Sequence, residues 1–211
     1  MYITLFYIAL FIGVLPLFLL FLKKRAFDKN HPIVPFLWLT AVATFYEFIG
    51  SVLLQINTSY WFQLYPFLSF LGLYYFFFQL LKPNYKHLFR IIFILFIVVY
   101  GISFFFWNND NRFISSAINR SSITIFVFTF ASLWFKNLFE KMDVPNLWQK
   151  DIFYFIVGLT IYYSSTIFLF LASIFIYNSN LYFFDFWLVN VIATLVLRIL
   201  LSIGVWKMKR D

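Results

Sequence analysis

Apolar residues run along this chain in seven long stretches: Tyr2 to Leu22, Ile33 to Ile56, Tyr60 to Leu81, Leu88 to Trp107, Ala117 to Phe139, Ile152 to Tyr177 and Tyr182 to Trp206. Each has the roughly 20 residues that a helix rising about 1.5 Å per residue needs to cross a hydrocarbon core. In lipid, every backbone amide must find its partner within the protein, which a helix provides segment by segment. The pattern predicts an all-α, polytopic membrane helix bundle with seven transmembrane helices, forming one domain over residues 1–211.

The polar connections alternate in charge. "KKRAFDKN", "KPNYKH" through Arg90, Lys136 to Lys150 and the tail "KMKR" hold thirteen of the sixteen Lys and Arg residues; the remaining connections hold Arg112 and Arg120, and Arg198 is the sixteenth. Basic loops stay on the cytoplasmic side, so the amino terminus is expected outside and the carboxyl terminus in the cytoplasm, in a bacterial inner membrane. Trp61, Trp107 and Trp187 then fall near the outer boundary and Trp38, Trp134, Trp148 and Trp206 near the inner one, at headgroup depth. The first stretch lacks a basic leader and is followed by Lys23, Lys24 and Arg25, which suits a retained span rather than a cleaved signal.

Composition removes the soluble alternative. The chain is 64% hydrophobic and 11% charged, against about half and about a quarter in globular domains. Its net charge of +8 is accounted for by topology without nucleic acid, and leaves the basic loops free to meet anionic membrane lipids or an acidic signalling partner. The 34 Phe residues fit an AT-rich genome as readily as a functional demand. Cysteine is absent, which excludes disulfide and thiolate chemistry. His31 and His87 lie in separate connections, and no His-Glu-x-x-His, Gly-x-Ser-x-Gly or P-loop pattern occurs. No metal, cofactor or catalytic motif is therefore expected.

Candidate chemistry lies in polar positions at helical spacing. In the last stretch Asn190, Thr194, Arg198 and Ser202 recur every fourth residue, and in the second Thr40, Thr44, Glu47, Ser51 and Gln55 share one face. Lipid offers such faces no partners, so they turn toward other helices or a wet cavity. Glu47 and Arg198 read as the only ionisable residues well inside the spans. Counted at about 1.5 Å per residue, Glu47 lies roughly 21 Å above the inner start of its helix and Arg198 roughly 12 Å above the inner end of its own. Their side chains lean toward each other along antiparallel helices. The expectation is a common interior with a direct or water-bridged pair, Thr44, Ser51, Asn190 and Thr194 beside it, and Asp185 at the outer mouth. Weaker stripes are Tyr65, Ser69, Gly72, Phe76 and Gln79 in the third helix and Gly158, Tyr162 and Ser165 in the sixth, where small residues let helices approach.

The ending "NVIATLVLRILLSIGVWKMKR", together with the seven-span pattern, resembles small bacterial seven-helix integral membrane proteins and the seven-helix membrane-sensor regions that precede kinase domains in bacterial receptors. That resemblance implies a sensory or accessory module that binds a small ligand within the bundle. Unlike those receptors, the chain ends just after its last helix, so signalling is expected to pass to a separate cytoplasmic or membrane partner. A small-solute transporter or channel gated by Glu47 and Arg198, or a structural subunit of a membrane complex, accommodates the same pattern. The oligomeric state is not encoded in any motif.

Overall fold

The structure, a computed structural model, describes residues 2–28, 30–56, 59–107, 112–141, 146–178 and 183–208. Among the described residues it is entirely helical, and seven helices are long and apolar enough to cross a membrane, which makes this a multi-pass integral membrane protein. α1 spans Tyr2–Leu22, and α2 spans Val34–Tyr46 and continues into a π-helical segment at Glu47–Leu53. One continuous helix, Ser59–Ser103, is broken by non-helical φ/ψ at Tyr85, and its two limbs are α3 (59–84) and α4 (86–103). α5 is Arg112–Lys141, α6 is Asp151–Asn178 and α7 is Phe183–Lys207.

The third and fourth spans are thus joined by a reversal at one residue rather than by a loop. The limbs fold back antiparallel, with the Phe70 and Phe96 rings stacked at 3.6 Å and Tyr74 edge-on to Phe89. Neighbouring helices pack in the order α1, α2, α3/α4, α5, α6, α7, and α7 returns against α1.

Lipid supplies no hydrophobic drive for helices to associate, so packing and polar contacts must hold them. Phenylalanine does much of the packing. Phe36, Phe70, Phe76, Phe77, Phe89, Phe126, Phe130 and Phe155 are fully buried, and Phe89 stacks on Phe130 at 4.0 Å. Such ring pairs contribute about 0.5–1.5 kcal/mol each beyond their buried area. Elsewhere close approach depends on missing side chains. A Cβ on Gly204 of α7 would lie 2.4 Å from the Phe155 ring of α6, and one on Gly158 of α6 would lie 3.1 Å from Leu200 of α7. The other stripe members divide: Ser69 and Phe76 are buried, whereas Gln79 and Ser165 are exposed.

Both ends are tied by polar contacts. At the basic end Lys23 Nζ donates to the carbonyls of Trp206, within the last turn of α7, and Met208, just beyond it, a cation placed where helix carbonyls lack donors. His31 Nε2 meets Asp151 Oδ2 at 2.9 Å, and Tyr85 OH donates to Asn137 Oδ1 at 2.9 Å. At the opposite end buried Gln63 donates to Ser103 Oγ at 2.8 Å and accepts from Ser115 Oγ at 2.7 Å and Asn119 Nδ2 at 3.4 Å. That knot joins α3, α4 and α5. The outward faces stay apolar, for example Phe11, Ile91, Ile94, Val98 and Phe168, all exposed.

Candidate functional site

Arg198 lies midway along α7 and is 7% exposed. Its Nη1 donates to the Gly13 carbonyl of α1 at 3.2 Å, and its Nη2 donates to the Thr40 carbonyl and to Thr44 Oγ1 of α2, each at 3.3 Å. One guanidinium therefore stitches three helices together. The sequence favours this locally. Pro16 removes the N–H that would bond the Ile12 carbonyl, loosening that turn of α1. Gly13 lets α1 come so close that a Cβ there would lie 2.6 Å from Thr44 Oγ1. Thr44 Oγ1 also donates to the Thr40 carbonyl at 2.9 Å, and Ser202 Oγ donates to the Arg198 carbonyl at 2.8 Å.

Above the guanidinium is a cavity of about 70 Å³ between α1, α2 and α7, lined among others by Leu10, Thr44, Glu47, Asn190, Thr194 and Arg198. Five of the seven residues singled out from the sequence thus share one wall. Arg198 Nε and Asn190 Oδ1 are buried without hydrogen-bond partners among the described residues. A buried donor and a buried acceptor left open in this way cost about 1–3 kcal/mol each unless something meets them. Toward the basic end the space closes: Leu17, Leu20, Ile33, Leu37, Leu201 and Val205 are all buried.

Glu47 and Arg198 line the same cavity, and among the described residues they form no direct ion pair within 4 Å; the guanidinium bonds backbone carbonyls and a hydroxyl. Two expectations are corrected. The α2 stripe does not stay on one face: Thr40 and Thr44 are buried, while Glu47, Ser51 and Gln55 are exposed. The wider turn of the π segment re-aims everything after Tyr46, and π segments are frequent at functional sites. Glu47, at the first π position, still reaches the cavity, but Ser51 does not line it. The side chain of Asp185 lies outside the described residues.

The second correction concerns Arg120, which the charge count assigns to a connection although the fifth stretch, Ala117 to Phe139, includes it. It lies two turns into α5, with Nη1 donating to Tyr162 OH at 3.2 Å and its guanidinium carbon 3.9 Å from the centre of the Phe170 ring. Tyr65, Ser69 and Tyr163 close around it, leaving about 10 Å³, room for about one water. Among the described residues the spans thus hold two guanidinium groups, Arg120 and Arg198, and the Glu47 carboxylate, which is exposed yet lines the Arg198 cavity. A signal was present: Ser116, Arg120 and Thr124 recur at four-residue spacing, as do Ser115 and Asn119, a helical rather than a loop pattern.

No protein-family model, no curated protein and no solved structure matches this chain.

Proposed function

We propose that this protein is a membrane-embedded sensory or accessory module that binds a small ligand in the Arg198 cavity and passes the change to a partner at its basic end. The observation that carries this reading is a polar cavity, lined by Arg198 and Asn190, each of which keeps one buried polar atom unmet, that ends blindly on a packed apolar floor. A blind pocket suits binding and is not the continuous path of an open channel, whereas an alternating-access transporter would open the same site to the basic side in a second conformation. The positive-inside rule turns the basic end toward the cytoplasm of a bacterial inner membrane.

A ligand shifts such a bundle only through unequal affinity for two helix arrangements. Arg198 supplies the inequality. An acceptor on the ligand competes with the Gly13 and Thr40 carbonyls and Thr44 Oγ1, so occupancy loosens the junction of α1, α2 and α7. α1 and α7 are tied again at the basic end through Lys23, which carries the relaxation to the loops where a partner docks.

The absence of native cysteine makes thiol accessibility a clean test. Thr194→Cys should react with a membrane-impermeant maleimide added on the side away from the basic loops, and Ser202→Cys should react from neither side. Labelling of Ser202→Cys from the basic side would mean a through-route and would replace this reading with transport.

A further inference from the structure

The surroundings of the cavity narrow the class of ligand, an argument that rests on the cavity being a binding site. On the outward face of α1, Tyr7, Ile8, Phe11, Leu15 and Phe18, with Phe45 and Phe48 of α2 and its π segment, line a groove of about 1130 Å³. The groove lining is apolar apart from a few hydroxyl groups. Leu10 and Thr44 line both this groove and the polar cavity, so the two spaces lie side by side with these two side chains between them. From Tyr7 to Phe18 the groove runs about 16 Å along the helix, close to half of the roughly 30 Å hydrocarbon thickness, and it is centred on the middle of α1.

The cavity sets the head chemistry. Its wall carries one cation, Arg198, and one carboxylate, Glu47, so a head without net charge meets neither excess. Arg198 Nε asks for an acceptor and Asn190 Oδ1 asks for a donor, which a hydroxyl group provides in one atom. A volume of about 70 Å³ is several times the roughly 10–15 Å³ that one water needs on the same measure, which suits a small polar head and leaves no room for a large one. We infer that the site takes a single-chain amphiphile with a small, net-neutral, hydroxyl-bearing head, of the monoacylglycerol type: the chain lies along α1, and the head accepts from Arg198 and donates to Asn190 or Glu47. The molecule reaches the site sideways from the membrane.

The test uses the full chain in phosphatidylcholine nanodiscs and a monoolein analogue carrying a diazirine in its acyl chain. Saturable labelling is expected on the Tyr7 to Phe18 face of α1 and on Phe45 and Phe48. Unlabelled monoolein should displace the probe at concentrations at least tenfold lower than methyl oleate, which only accepts hydrogen bonds, or lysophosphatidylglycerol, which is anionic. Leu15→Trp, a change on an exposed groove position, and Asn190→Leu, a change in the cavity, should each lower labelling at least tenfold. Equal competition by methyl oleate overturns the head assignment, and labelling that is unchanged in Leu15→Trp, or equally strong on Ile91, Ile94 and Val98 of α4, overturns the groove. Protection of Thr194→Cys from maleimide by glycerol alone, with no effect of Leu15→Trp, would defeat the amphiphile while sparing the cavity as a binding site. Failure of monoolein and glycerol alike to protect Thr194→Cys would defeat both.

Discussion

Gly13→Ala tests whether α1 and α2 meet where the Arg198 junction requires. The new methyl would lie 2.6 Å from Thr44 Oγ1, 2.7 Å from Thr44 Cγ2 and 3.2 Å from Thr44 Cβ. Relief comes either from moving α1 off α2 or from rotating Thr44. Rotation gives up the 2.9 Å bond to the Thr40 carbonyl and the 3.3 Å bond from Arg198. Overpacking costs about 1–3 kcal/mol, and a polar contact within a membrane bundle averages about 0.6 kcal/mol. Gly13→Ala should therefore cost about 2–3 kcal/mol in reversible unfolding of the purified chain in mixed dodecyl maltoside and SDS micelles. Thr44→Ala alone should cost about 1 kcal/mol, the scale of one lost hydrogen bond. The double variant should cost at least about 1 kcal/mol less than the two together, because Thr44→Ala removes both of the closest clashing atoms. Additivity within about 0.5 kcal/mol would refute the contact.

Three further outcomes follow from the packing. Gln63→Leu strands Ser115 and Asn119 in the α3/α4/α5 knot and should lower unfolding free energy by about 1–3 kcal/mol, whereas Ser103→Ala should cost less. Gly204→Ala, whose Cβ would lie 2.4 Å from Phe155, should destabilise by about 1–3 kcal/mol and be largely rescued by Phe155→Leu. Lys23→Met removes the cation from the carbonyls of Trp206 and Met208, a contact worth about 0.3–1 kcal/mol; amide exchange should quicken in the last turn of α7 and not in its centre.

Much of the fold was legible because bilayer thickness and obligatory backbone hydrogen bonding leave long apolar runs few alternatives. The α7 stripe was legible for a related reason: Asn190, Thr194 and Arg198 at four-residue spacing on an oily helix have to face protein, and they do. What failed depends on contacts between elements. Winding of α2 into a π turn after Tyr46 splits a stripe that simple periodicity keeps whole. Arg120 was misplaced because the polar run before it resembles a loop, although those polar residues are the ones that meet Gln63. The reversal at Tyr85 needs no loop because the aromatic limbs zip together directly. Nor does the count of Phe residues reveal, as the packed centre does, that eight of them are its largest fillers.

The account stands on the space between α1, α2 and α7 being a ligand site floored by Arg198. An experimental density map of the full chain purified from its own membranes examines that most directly. The account predicts non-protein density with a compact end against Arg198 and Asn190 and a tail along the Tyr7 to Phe18 face of α1. A map in which protein side chains fill that space, with Arg198 turned out toward lipid, would contradict it.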